Sequence, residues 1–199
     1  MNIQPLADIT PFHPLIIKSN FKFNWDELES ISNYLINTTP AESELEQTGG
    51  LSSALNSKAP HMLPEFSEFY KWLHPMINHI ITKEWGYDSN LNYSVVQSWV
   101  NVHEKGGVTL EHSHGGAIMV VAAYLNLPTD AGFIEFKDPL EYQKSFHQRE
   151  KLGWEWNEFK AVTGDVICFP GWIKHRTQPS NSNEQRWVLT SNIGIIGKK

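Results

Sequence analysis

Glu111-His112-Ser113-His114-Gly115-Gly116-Ala117-Ile118-Met119-Val120-Val121-Ala122-Ala123-Tyr124-Leu125-Asn126 is the stretch on which both fold and chemistry turn. Its second half is a run of apolar and β-branched residues, the composition of a strand. Its first half sets two imidazoles one residue apart. In an extended chain, side chains at i and i+2 leave the same face. His112 and His114 are therefore expected to grip one ion from a single strand. A third imidazole, His175, follows Gly164-Asp165-Val166-Ile167-Cys168-Phe169-Pro170-Gly171, a strand and turn that would deliver it to a strand end. Imidazole suits iron, zinc, copper and nickel. Three of them describe a mononuclear metal centre with positions left open for chemistry, hence a metalloenzyme. The remaining histidines, His13, His61, His74, His79, His103 and His147, read as structural or exposed.

Around this stretch the punctuation is that of a β protein. Residues 92–103 alternate Tyr93, Val95, Gln97, Trp99, Asn101 and His103 against Ser94, Val96, Ser98, Val100 and Val102, a period-two strand. Further strands are expected at 118–126, 132–137, 158–163, 165–170 and 186–195, separated by Gly, Pro and Asp turns. Many short strands so spaced predict an antiparallel sandwich or jelly roll. The N-terminal part differs. A short strand is expected within 14–23, and a helix over 25–37, with Asn24 and Glu27 placed as N-cap and capping partner. Residues 38–60 lack any period and read as a loop. A second helical segment runs over 64–84, with a kink or break expected at Pro75. The stretch 138–157, with Lys144, His147, Arg149, Lys151, Trp154 and Trp156, is the long insertion between strands, a lid or a solvated loop. The expected architecture is mainly β with N-terminal helices in one domain over 1–199. Within it, 1–91 form a strand and helical layer and 92–199 the β core.

Composition bounds the function. The chain has 199 residues, 40% hydrophobic and 12% aromatic, enough for a substantial core. A formal charge of −6 argues against a duplex nucleic-acid partner, whose binders carry basic surfaces. The single cysteine, Cys168, lies in an apolar run and is expected to be a buried thiol. With no signal-peptide pattern and no apolar run of spanning length, the expected setting is a reducing cytoplasm without membrane contact. A homodimer remains open.

Arg186 discriminates among metal chemistries. Its fork of donors matches a carboxylate bidentately and stays charged when half buried. Placed eleven positions after His175, on the following strand, it would suit a dicarboxylate held end-on to the metal. The ordered set Trp99-x-Asn101, His112-x-His114, Tyr124-Leu125, Gly132-x-Ile134-x-Phe136-x-Asp138-Pro139, Gly164, Phe169-Pro170, His175, Pro179, Arg186 and Asn192 resembles the 2-oxoglutarate/Fe(II)-dependent dioxygenases. Within them it most resembles an uncharacterised, prolyl-hydroxylase-like branch of bacteria and phages. The resemblance covers about residues 92–197.

That resemblance implies a double-stranded β-helix, the cupin-like jelly-roll barrel, holding Fe(II) on His112 and His175. Arg186 would pair with the distal carboxylate of 2-oxoglutarate, assisted by Tyr124, with Thr190 and Asn101 beside it. The implied reaction consumes O2 and 2-oxoglutarate, releases succinate and CO2, and hydroxylates a C–H bond of a further substrate. Most of the wider superfamily carries Asp or Glu where this chain has His114. The nearer branch carries H-x-H, so His114 is read as the third ligand. Val120-Val121 and Ala123 also replace a Ser-Gly pair and a second tyrosine of that branch. Trp99 and Trp172 are the expected substrate-facing wall. Two rivals share the barrel. A cupin-type three-histidine dioxygenase would need no 2-oxoglutarate, but the Glu its first motif places after His114 is absent. A non-catalytic jelly-roll binding module would leave the three histidines coincidental.

Overall fold

The strands that carry the histidines and the arginine stack against one another in an antiparallel six-stranded sheet. In the computed structural model, which describes residues 16–40, 47–139 and 156–199, its order is β1-β7-β4-β9-β3-β2. These strands are β1 (Ile17–Asn20), β2 (Gln47–Ser52), β3 (Leu91–Thr109), β4 (Met119–Asn126), β7 (Asp165–Pro170) and β9 (Arg186–Lys198). A three-stranded sheet, β6-β5-β8, covers one face. It is built from β5 (Ile134–Lys137), β6 (Trp156–Phe159) and β8 (His175–Thr177). Helices α1 (Trp25–Asn37) and α2 (Ser67–His79) cover the other. This is the jelly-roll arrangement with N-terminal helices that the sequence predicts.

Period-two alternation sorts the large sheet into two cores. On β4, Met119, Val121, Ala123 and Leu125 pack toward the helices, while Val120, Ala122 and Tyr124 pack toward the small sheet. The residues of β7 divide the same way, with Val166 and Cys168 on the helical side and Ile167 and Phe169 on the other. Both faces are dry, which is why this pair reads as continuous apolar sequence. Burial holds the Cys168 thiol up at about 12, an inert packing residue.

Several expectations need correction. Strand β3 does not keep one phase: its register against β9 shifts between Val95 and Gln97. Tyr93 and Val95 therefore join the helical core, whereas Gln97 and Trp99 face the cavity between the sheets. One extra residue in a strand inverts everything beyond it. The stretch 38–60 is not all loop, because β2 pairs with β3 along its length. No apolar alternation announces β2. Its pairing depends on Gly49 (φ +64), where a Cβ would stand 3.0 Å from the Gly107 backbone. Helix α2 runs through Pro75 instead of breaking there and yields to a π-helical turn at Ile80–Glu84. Pro75 and Lys71, four residues before it, are both exposed, so the proline lies on the solvent side of the helix, where a freed carbonyl is least costly. Asn24 stands at the N-cap of α1 but makes no side-chain cap bond. Strand β6 begins earlier and ends sooner than the predicted 158–163. His13, His147 and the insertion between Leu140 and Glu155 lie outside the described residues.

Candidate metal centre and its cavity

His112, His114 and His175 converge, though not by the predicted route. Only His112 makes a β-bridge, to His175, and the 112–114 segment is otherwise irregular. Backbone bonds replace the strand. His112 N–H donates to the His175 carbonyl and His175 N–H to that of His112, both at 3.0 Å, while His114 N–H donates to the Gly171 carbonyl at 2.8 Å. The ring centroids stand 4.2 Å (His112–His175), 5.0 Å (His112–His114) and 5.2 Å (His114–His175) apart. One nitrogen from each ring lies within 4.8 Å of the others.

Ring orientation is built in. His112 Nδ1 donates to the Leu110 carbonyl at 2.8 Å, and His175 Nδ1 donates to that of Ile173 at 3.0 Å. In the neutral ring, giving the Nδ1 proton to a carbonyl leaves Nε2 as the lone pair a metal requires. Burial, followed by the charge His112 would carry, pulls His175 down to about 3 and His114 down to about 4. A hydrogen bond with the Asn192 side chain opposes this for His114. For His114 and His175 burial outweighs the opposing hydrogen bonds and favours neutral imidazole.

The triad opens on a cavity of about 320 Å³ between the two sheets. Strand β9 contributes Arg186, Val188, Thr190 and Asn192, alternate residues on one face, and β3 contributes Gln97, Trp99, Asn101 and His103. Tyr124 enters from β4. The Trp99 indole stacks on His114, with centroids 5.8 Å apart and planes at 18°. Asn101 Nδ2 donates to Thr190 Oγ1 at 3.3 Å.

Arg186 is 1% exposed. Its Nη1 donates to the carbonyls of Ala131 (2.6 Å) and Gln178 (3.3 Å), and its Nη2 to Thr177 Oγ1 (3.0 Å). Its Nε has no acceptor, and no carboxylate pairs with it among the described residues. Burial draws the guanidinium down to about 10, partly offset by the nearby Tyr124 phenol. The same burial raises Tyr124 above its ordinary value, against the pull of Arg186. Among the described residues the only bonds of Arg186 are to neutral groups, so this buried cation has no counter-anion there.

Of the predicted site residues, His112, His114, His175, Arg186, Tyr124, Thr190, Asn101 and Trp99 all meet at this cavity. Trp172 does not. It is 52% exposed, in the turn between β7 and β8. His103, assigned from sequence to a structural role, instead lines the cavity directly across β3–β9 from Arg186. Its only sequence signal was its place in the alternating run after Trp99 and Asn101.

Residues 97–192 match a family described as "Putative 2OG-Fe(II) oxygenase". Solved structures share the fold. A prolyl-4-hydroxylase from Pseudomonas putida superposes with TM-score 0.59 at 12% identity, covering 92% of this chain and 94% of its own. HygX from Streptomyces hygroscopicus, with nickel and 2-oxoglutarate bound, gives 0.58 at 12% identity, covering 90% and 82%. The non-heme α-ketoglutarate-dependent carbocyclase SnoK of nogalamycin biosynthesis gives 0.61 at 13%, covering 91% and 79%. No curated protein matches the sequence.

Proposed function

We propose that the chain is a member of the 2OG-Fe(II) oxygenase superfamily, whose family model matches residues 97–192, that His112, His114 and His175 hold its Fe(II), and that Arg186 receives the far carboxylate of 2-oxoglutarate. One observation carries this assignment: a fully buried arginine, without a counter-anion among the described residues, opens on the same cavity as three converging imidazoles. The donor set fits the group. Imidazole nitrogens suit Fe(II), and a planar guanidinium in a dry cavity suits a bidentate carboxylate.

The bound metal and keto acid supply the oxidising power: 2-oxoglutarate, O2 and a C–H substrate become succinate, CO2 and the hydroxylated product. The chain's own residues bind, orient and keep water out. The Leu110 and Ile173 carbonyls fix the His112 and His175 rings. Arg186 holds one end of the keto-diacid, and Tyr124 and Thr190 flank it, with Asn101 holding the Thr190 hydroxyl. Trp99, half-buried and stacked on His114, forms the wall nearest the reacting centre, so it is the substrate-facing surface. Phe169 and Phe136 pack against His175, with ring centroids at 4.8 and 6.1 Å, and give it an apolar surround.

The neutral three-histidine set is also that of a cupin-type dioxygenase, which would leave Arg186 without a role. The buried cation favours the 2-oxoglutarate reading. No helix among the described residues is long and apolar enough to cross a membrane. A free, buried Cys168 suits a reducing, cytoplasmic setting. The test is succinate formation from 2-oxoglutarate with Fe(II) and O2. The proposal expects turnover that His175→Ala abolishes. Metal-dependent stabilisation with no response to 2-oxoglutarate would instead establish the cupin-type reading.

A further inference from the structure

Arg186 does not aim itself. Its Nη2 donates to Thr177 Oγ1, and the same oxygen accepts the Thr109 backbone N–H at 2.8 Å. With two donors converging on it, the Thr177 hydroxyl has little freedom to rotate. The Thr109 hydroxyl in turn stands 3.0 Å from His103 Nε2. His103 and Arg186 are direct cross-strand partners on β3 and β9. The chain of contacts Arg186–Thr177–Thr109–His103 therefore closes on itself, joining β8, both ends of the segment from His103 to Thr109, and β9. All four side chains line the cavity.

His103 is 2% exposed, and burial, reinforced by the charge of Arg186, keeps its ring neutral against a weaker pull from the Val108 backbone. Neutrality matters for the geometry. A second cation directly across the strand pair would repel the guanidinium and compete for the same anion.

We propose that His103 is a positioning residue for the co-substrate anchor: through Thr109 and Thr177 it sets the plane of the Arg186 fork and so the affinity for the C5 keto-diacid. This inference rests on the reading of Arg186 given above. His103 is not one of the three converging imidazoles, and its hydrogen bond runs to Thr109, so its removal is expected to act on keto-acid binding and to leave metal binding alone. Fixing a rotamer-rich side chain in advance lowers the cost of ordering it on binding.

The test is anaerobic calorimetric titration of 2-oxoglutarate into the Mn(II)-loaded protein, with Mn(II) affinity measured separately. His103→Phe keeps an aromatic ring of similar size but removes Nε2. It is expected to weaken 2-oxoglutarate about tenfold and to leave Mn(II) unchanged. His103→Gln, whose amide nitrogen can occupy the Nε2 position, is expected within about threefold of wild type. Thr177→Val, which removes the hydroxyl alone, is expected to match His103→Phe. The double variant is expected to be no weaker than the weaker single, because both cut one chain.

If wild type binds Mn(II) but not 2-oxoglutarate, the assignment of Arg186 falls and this inference with it. If wild type binds both, while His103→Phe and Thr177→Val bind 2-oxoglutarate as wild type does, the inference alone is overturned. Equal loss of Mn(II) and 2-oxoglutarate in His103→Phe, or additive losses in the double variant, would likewise reduce His103 to a structural role. Should His103→Phe fail to fold, Thr109→Val and Thr177→Val decide, and unchanged affinity in both refutes the proposal.

Discussion

Replacing Arg186 by methionine separates a residue held for folding from one held for a ligand. Methionine is of similar length, apolar and unbranched, so it can follow the same path through the core. Two energies oppose each other. Burial lowers the guanidinium from its ordinary 12.5 to about 10, which at about 1.4 kcal/mol per tenfold means the fold spends about 3 kcal/mol keeping it charged. Methionine removes that cost. Against it, three hydrogen bonds from a charged donor are lost, to Ala131, Gln178 and Thr177, at roughly 1.5–2 kcal/mol each. The terms largely offset, leaving a loss of about 2 kcal/mol. Arg186→Met is expected to unfold in urea within about 3 kcal/mol of wild type. Keto-acid binding has no such compensation. Losing one partner of a desolvated ion pair costs about 3–5 kcal/mol, so 2-oxoglutarate affinity is expected to fall at least 100-fold. Urea denaturation and calorimetric titration read the two quantities independently. A variant more than about 4 kcal/mol less stable that still bound 2-oxoglutarate normally would refute the reasoning and make Arg186 a fold residue.

Removing a ligand should abolish the response to metal. His175→Ala is expected to show no rise in thermal midpoint with Mn(II), whereas wild type at a hundredfold excess over its dissociation constant should gain about 2.7 kcal/mol. Gly132 (φ +74) lies where a Cβ would stand 2.7 Å from the Gln178 carbonyl oxygen and 2.8 Å from that of Pro179. Gly132→Ala is therefore expected to cost about 2 kcal/mol or more in urea unfolding. It should also weaken 2-oxoglutarate, because the Ala131 and Gln178 carbonyls that hold Arg186 must shift. Trp99 stacks on His114, so metal binding is expected to quench tryptophan emission, with Trp99→Phe losing most of the effect. Undiminished quenching in that variant would place the ion away from His114.

What the sequence made legible follows from local periodicity. β4 reads as a continuous apolar run of strand length, and Arg186 and Thr190, four positions apart on β9, share a face by the period of two, so both could be read directly. Helix α1 was equally clear, with buried Leu28 and Leu35 seven positions apart on one face. The failures share a physical cause: each depends on a partner distant in sequence. The bulge in β3 inverts Tyr93 and Val95 relative to Trp99, and only the pairing with β9 reveals it. β2 forms because Gly49 and Gly107 allow two backbones to approach, not through apolar pattern. His112 and His114 converge through backbone bonds to His175 and Gly171, so the prediction of shared orientation held although the predicted strand did not. Nothing local distinguished His103 from a core histidine; its meaning comes from facing Arg186. Trp172 misled because an aromatic beside a turn before a candidate ligand can point either way, and here it points to solvent.

The most direct test of the account is a crystal structure grown anaerobically with Mn(II) and 2-oxoglutarate, with the manganese located by its anomalous signal. The account predicts one ion bound by nitrogens of His112, His114 and His175, and the far carboxylate of the keto acid on the guanidinium of Arg186. An ion bound with His114 turned away, or a keto-acid carboxylate that leaves Arg186 without a counter-anion, would contradict it.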